Sequence, residues 1–333
     1  MYFQKKIIKK MSFKDLHFDV ITEVCSFLVK PVYKLRDWVA SNPNFQMMLE
    51  SDNKNFWSNL SQNERAVSLL EQNIDKVDWM ELSRNKGAIT LLEKNIEKIN
   101  WRSLCLNYSE GAIKLLEKNI DKIDWEVIQE NSMAIDILKS NPDKIIWNSL
   151  AYNEQAIDMI EDNLDRISFF YLSSNKAAIH ILEKNIDKLN WRGLCYNEGA
   201  MHILENNPDK VLWWLLCDKP YAIDLLEKNL HEVNWVSFSL NETEKAINIL
   251  EKYFNKIDWS FLSRNKKAIR ILEKNLDKVD YENLTINSEA IHILEEHRYM
   301  IDWELLALNP GIFEIDQKET RKLIHKMAKE QAF

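Results

Sequence analysis

Glycine is nearly missing from this chain, with five in 333 residues. Phosphate-cradling loops need closely spaced glycines, so a P-loop or a dinucleotide fingerprint is excluded. Proline is almost as scarce, at six. Together these shortages favour helix over tight-turned sheet. The four cysteines, Cys25, Cys105, Cys195 and Cys217, show no CxxC spacing and no dense framework. They read as reduced thiols in a cytoplasmic setting. No apolar run reaches the roughly 18 residues that a membrane helix needs, so no membrane partner is expected. Positive charge is also in deficit: 44 Lys and Arg against 52 Asp and Glu give a net charge of −8. A nucleic-acid partner calls for the opposite balance.

What is present is a tryptophan that keeps returning. The markers are Trp57, Trp79, Trp101, Trp125, Trp147, Phe169, Trp191, Trp213, Trp235, Trp259, Tyr281 and Trp303; nine of the eleven intervals are 22 residues and two are 24. With the aromatic as position 1, the unit reads W-x-x-L-S-x-N-x-x-A-I-x-L-L-E-K-N-x-D-K-I-D, as in Trp79 to Asn100. The two longer units carry their extra residues in one place, between Asn107 and Ala112 and between Asn241 and Ala246. An insertion tolerated twice at one register marks a solvent-facing turn that divides the unit into two pieces.

The longer piece predicts a helix at positions 8 to 16, with apolar residues at helical spacing such as Ala88, Ile89, Leu91 and Leu92. Asparagine at position 7, in eleven of twelve units with Lys219 the exception, is its N-cap. Pro220 and Pro310 follow at the first helical position, where a missing N–H costs nothing. A second asparagine at position 17, such as Asn95 or Asn185, is expected to close the helix in left-handed geometry, and Pro142 and Pro208 come next. The shorter piece starts at an Asp or Asn cap, such as Asp78 or Asp124, and carries the aromatic and the leucine at position 4. Isolated helices need roughly 12–15 residues. Neither piece stands alone, so each must be buried against the next unit. A strand at Lys-Ile-Asp-Trp is the competing reading of the short piece. At about 8–10 Å per packed helix, the units would stack into a rod or superhelix on the order of 100 Å long. The fold class is therefore all-α: an α-solenoid of about 11–12 short two-helix repeats with helical caps at both ends. The expected division is a disordered leader at 1–12, a helical domain at 13–56, the repeat array at 57–312 and a capping helix at 313–333, with Leu323, Ile324 and Met327 on its apolar face.

The segment before the array reads Leu16-His17-Phe18-Asp19-Val20-Ile21, then Val24, Phe27-Leu28, Leu35-Arg36, and Phe56-Trp57 through Leu60. It resembles an F-box, with His17 standing where that family has proline. The resemblance implies binding to a Skp1-type adaptor of a cullin ubiquitin ligase through Leu16, Phe18, Asp19, Val20, Ile21, Phe27 and Leu28. The same helical segment also serves as a plain N-terminal cap, and Trp38 to Glu50 itself looks like a shortened repeat. The repeats resemble the Asn-, Lys- and Ile-rich helical repeats of proteins from large DNA viruses of amoebae and algae, which also carry F-box–repeat proteins. For a viral protein the compartment would be the host cytoplasm.

The repeat explains most residues that would otherwise suggest chemistry. The tryptophans keep strict register with leucine and read as core. Cys105, Cys195 and Cys217 occupy position 5, where other units carry Ser or Ala, and read as small residues at a packing point. Glutamate at position 15 and lysine at position 20 read as a solubilising edge. Two features escape the pattern. Trp214 stands at position 2 and is expected to be exposed. Position 12 should point outward, and over five units it reads Asp136, Asp158, His180, His202 and Asp224. These five and Trp214 are the expected target-binding stripe. A spacing of about 10 Å is too wide for His180 and His202 to share a metal. No nucleophile–base–acid set emerges, so neither catalysis nor a cofactor is expected. The sequence thus reads as an adaptor whose F-box-like end recruits a Skp1-type subunit while the array holds an unknown target protein. The alternative is a structural scaffold whose N-terminus is only a cap.

Overall fold

The computed structural model describes residues 18–332; the 1–12 leader and Leu16 lie outside the described residues. The described chain is an all-α repeat architecture of short helices in pairs, and the segments preceding each aromatic are not strands. In the Trp79 unit, Asp78 Oδ1 accepts from the Met80 and Glu81 N–H groups at 3.0 and 3.1 Å, opening the helix Trp79–Arg84. Asn85 Oδ1 then accepts from Gly87 N at 2.9 Å, and the chain turns into the second helix, Ile89–Glu93. In several units a 3-10 turn precedes that helix, as at Lys176–Ala178. The two inserted residues change this start. Ser109 and Thr243 take over the cap, and the second helix becomes the longer Glu110–Lys118 or Glu244–Lys252.

The position-17 asparagines close the helix differently from the sequence expectation. Among the described residues none has positive φ outside glycine, and Asn95 sits at φ −136°, ψ 50°. Its side chain makes left-handed backbone unnecessary, because Asn95 Nδ2 donates to Leu91 O at 2.9 Å and satisfies a carbonyl at the helix end directly. His297 does the same with Nδ1 against Ile293 O at 2.9 Å.

The units are joined by the position-7 asparagines, which are buried. Outside the two longer units, where Ser109 and Thr243 cap, each caps its own second helix with the side-chain oxygen, and each donates to the adjoining unit with the amide nitrogen. Asn175 Nδ2 donates to Ala151 O at 2.8 Å and Asn153 O at 3.2 Å, carbonyls 24 and 22 residues earlier. Asn197, Asn241, Asn265, Asn287 and Asn309 repeat the pattern. Around these rungs lie the fully buried leucines of positions 4 and 14 and the alanine of position 10, such as Leu82, Leu92 and Ala88. Each buried leucine contributes about 1.5–3 kcal/mol. Successive first helices and rungs approach more closely than successive second helices, so the ladder side is the tighter, inner curve.

That curvature corrects the expected rod. Asn63 Nδ2 donates to Ala307 O at 2.9 Å, across 244 residues. Ala307 holds the place in the last unit that Ser61 holds for Asn85, whose Nδ2–O distance is also 2.9 Å. Asn59 Nδ2 donates to Glu304 O at 3.1 Å and Arg65 Nη1 to Pro310 O at 3.0 Å. The first unit therefore stacks on the last as on any neighbour, and the array closes into a ring.

The two chain ends pair with each other instead of capping opposite tips. Strand β1, Tyr33–Leu35, runs antiparallel to β2, Phe313–Ile315, with Leu35 opposite Phe313. The N-terminal helix, Phe18–Leu28, lies on the C-terminal helix, Gln317–Ala332, through Ile21, Cys25 and Ala328. Ile324 and Met327 join that contact as expected, whereas Leu323 is exposed. Asp316, standing where a repeat leucine belongs, caps the last helix by accepting from Glu319 N at 3.0 Å. Trp38 is buried edge-on to Trp303, with ring centroids 6.4 Å apart, so the Trp38–Glu50 segment packs at the seam.

Lys219 is the one rung without asparagine, and the structure compensates. Tyr221 Oη donates to Cys195 O at 3.0 Å, the carbonyl an asparagine would have served. Burial pushes the Tyr221 hydroxyl up to about 12, so it keeps its proton and donates at all ordinary pH. Tyr221→Phe should lower stability by about 1–3 kcal/mol, because a buried carbonyl loses its partner. Adding Lys219→Asn should recover most of that loss in urea denaturation. A silent Tyr221→Phe would contradict the rung account.

Candidate functional site

Positions 2 and 6 of the first helix point away from the core. In the middle of the array they carry large exposed hydrophobics: Tyr152, Phe170, Tyr196, Trp214 and Val236. Phe170 is 59% and Trp214 51% exposed, high for rings of this size. Their helices explain the direction. In Trp213–Leu216 the buried residues are Leu215 and Leu216, which leaves Trp214 on the opposite side. The rings support one another edge to face: Tyr152 on Tyr171 at 5.7 Å, and Phe170 on Tyr171 at 5.2 Å. Cations lie over two of them. The Arg192 guanidinium is 5.8 Å from the Trp214 ring centre, and Lys219 Nζ is 5.6 Å from that of Tyr196.

Two hollows open along this run. One, of about 320 Å³, is lined by Tyr152, Phe170, Ser174, Asn190, Arg192, Gly193 and Tyr196. A Cβ at Gly193 would come within 3.2 Å of Ser173 Cβ and 3.5 Å of Phe170 O, so the glycine lets two neighbouring first helices pack closely here. The next, of about 230 Å³, is lined by Tyr196, Trp214, Leu215, Asp218, Lys219, Ser237 and Leu240. Tyr196 belongs to both. Asp218 is occupied by Lys219 Nζ at 2.9 Å.

The expected stripe divides. Asp136, Asp158, His180, His202 and Asp224 are all exposed, on second helices, while Trp214 lies on a first helix. The structure does not bring Trp214 together with the other five. His180 Nε2 pairs with Glu161 of the preceding unit, and His202 Nε2 with Glu183 at 2.7 Å. Arg270 and His292 reach Glu251 and Glu273 in the same way, at 3.0 and 2.7 Å. Asp224 pairs with Lys245 at 2.7 Å, and the Lys245 hydrogen bond holds its carboxyl below the usual range. Position 12 thus links neighbouring units through the position-15 glutamate in the four His and Arg pairs, whereas Glu71 and Glu205 at position 15 pair with Lys94 and Lys228 instead. Among the described residues no three His, Cys, Asp or Glu side chains converge as metal ligands would.

Of the F-box-like residues, Asp19, Val20 and Phe27 are exposed, and Phe18 and Leu28 are half-buried. Ile21 is buried against the C-terminal helix, and Phe18 stands edge-on to His325 at 5.6 Å. The set does not form one free face, because the terminal clasp uses its inward side.

Two recurrent residues each play a second role. The lysine at position 20 lies over its own unit's aromatic: Lys76 over Trp57 at 5.4 Å and Lys98 over Trp79 at 5.1 Å. It therefore covers a half-buried ring as well as solubilising the edge. Position 5 is a hydrogen-bonding post as well as a small packing point. Ser83 Oγ donates to Trp79 O at 2.6 Å and accepts from Asn100 N at 3.0 Å. Cys217 Sγ makes the equivalent pair, at 3.2 and 3.3 Å. Burial raises the Cys195 and Cys217 thiols and takes Cys105 to about 11, so these cysteines are protonated posts.

Trp214 was visible in the sequence as an intruder at position 2. Phe170 at the same position and Tyr152 and Tyr196 at position 6 were missed, because position 6 varies too much to register as a pattern. No family model matches the chain, and no curated protein or solved structure does either. No helix among the described residues is long and apolar enough to cross a membrane.

Proposed function

We propose that this chain is a non-enzymatic adaptor: a closed ring that holds a segment of a target protein in the aromatic groove of its first-helix face. The run of exposed rings from Tyr152 to Trp214 carries this reading. The repeat needs no large apolar residue at positions 2 and 6, and Ser58, Arg102 and Glu282 stand at position 2 elsewhere. Exposed Trp and Tyr beside an Arg are the residue types that dominate binding energy at protein interfaces. A ring pre-organises such a groove, so little ordering cost is left for binding.

A second surface supports the ligase arm of the same reading. Val20 and Phe27 are exposed seven positions apart, on one side of the N-terminal helix. They are the exposed apolar members of the F-box-like set, open to a Skp1-type adaptor. Purified Skp1-type protein should co-elute with the full chain and separate from Phe27→Asp; co-elution with neither removes the ligase arm and leaves the groove untouched.

The groove is tested by peptide-display selection on the immobilised full chain. Peptides should enrich on the wild type and not on Phe170→Ser/Trp214→Ser. Both sites are surface positions, so the double variant should unfold within about 1 kcal/mol of the wild type. No enrichment, or enrichment equal on both, would overturn the proposal.

A further inference from the structure

In several units the residue at position 2 bonds to the cap residue of the next unit. Arg102 Nη1 meets Asp124 Oδ2 at 2.5 Å, Ser260 Oγ donates to Asp280 Oδ2 at 2.8 Å, and Asn148 Oδ1 accepts from Ser168 N at 3.0 Å. Arg192 stands at the same position, but the cap residue of its next unit is Leu212. Leu212 carries no carboxylate and makes no side-chain cap bond to the helix Trp213–Leu216. Among the described residues no ion pair holds Arg192, and its guanidinium rests on the Trp214 ring instead. The array that supplies a carboxylate to Arg102 withholds one from Arg192.

The surroundings define what completes the pair. Arg192 lines the hollow walled by Tyr152, Phe170 and Tyr196, and no carboxylate shares that lining. In the neighbouring hollow Lys219 is held by Asp218 at 2.9 Å, so those charges cancel. Within a chain of net charge −8, the first hollow is thus a local site for an anion. The guanidinium fork matches a carboxylate bidentately. Phosphate recognition draws on clusters of Arg, and this hollow holds one. The Trp214 ring steadies the fork, so less freedom is lost on binding. The aromatic walls bury an apolar side chain next to the carboxylate.

We propose that the groove selects a segment carrying an Asp or Glu beside a large apolar residue, with the carboxylate on Arg192 and the apolar side chain among Tyr152, Phe170 and Tyr196. The carboxylate of the bound segment takes the place that Asp124 holds against Arg102. This rests on the reading that the groove holds a protein segment, and specifies its chemistry whatever its backbone conformation.

Peptide-display selection run in parallel on four full-length chains tests it: the wild type, Arg192→Gln, Leu212→Asp and Leu212→Asn. Leu212→Asp restores the internal carboxylate, and Leu212→Asn supplies a cap of similar shape without the charge. The wild type and Leu212→Asn should enrich acidic–apolar pairs, and Arg192→Gln and Leu212→Asp should not. The leading wild-type peptide, with both ends blocked, is then measured by fluorescence anisotropy. Changing its Glu to Gln, or its Asp to Asn, should weaken binding by about tenfold or more, as should placing it against Leu212→Asp. Circular dichroism reports whether the Leu212 variants fold; if they do not, Arg192→Gln, a surface change, decides alone. Equal enrichment of acids on all folded chains, or binding lost on blocking the peptide's C-terminus, would overturn the proposal. Groove-dependent peptides without an acid sink this inference and leave the groove reading standing. No enrichment on the wild type removes both.

Discussion

One buried amide organises this molecule. An asparagine side chain has two donors and an acceptor, and the position-7 residue uses both ends. Its oxygen starts the second helix of its own unit, and its nitrogen fixes the carbonyls of the unit before. Helices this short cannot persist alone. The rung makes capping and stacking a single event, so a second helix forms where its unit is docked. The chain tolerates the one lost asparagine because Tyr221 reaches the orphaned carbonyl of Cys195.

Closure follows from repetition of the same bond. Units joined closely along the asparagine side and more widely along the second helices must curve. Repeated around the array, the curvature returns the last unit to the first. The link from Asn63 to Ala307 then has the geometry of an internal rung. The last unit cannot complete its second helix there; Phe313–Ile315 becomes a strand against Tyr33–Leu35, and the terminal helices clasp outside it. The outward helix faces carry charge links, and the first-helix face carries the aromatic groove. Structure and binding are thereby divided between different positions of one unit.

The repeat, its two helices, the caps at Asp78 and Asn85, and the exposure of Trp214 and position 12 were legible, because each rests on local periodicity or side-chain chemistry. The ring was not. Whether stacked units curve enough to meet depends on differences in spacing that no single unit encodes, and Asn63 looks like every other asparagine at its position. The pairing of Ile21 with the C-terminal helix was hidden for the same reason: an amphipathic helix declares an apolar face and not its partner. The groove was half legible. Trp214 interrupts a position, whereas Tyr152 and Tyr196 become a surface only once neighbouring units are stacked.

The central claim is that the first and last units are neighbours. Spin labels at Gln62 and Leu308, the position-6 residues of those units, test it against a pair at Gln62 and Arg84, which are adjacent in the array. A closed ring predicts similar dipolar broadening for both pairs, since each spans about one unit, roughly 8–10 Å between helices. Broadening for the internal pair with none for the seam pair would contradict closure and return the molecule to an open superhelix.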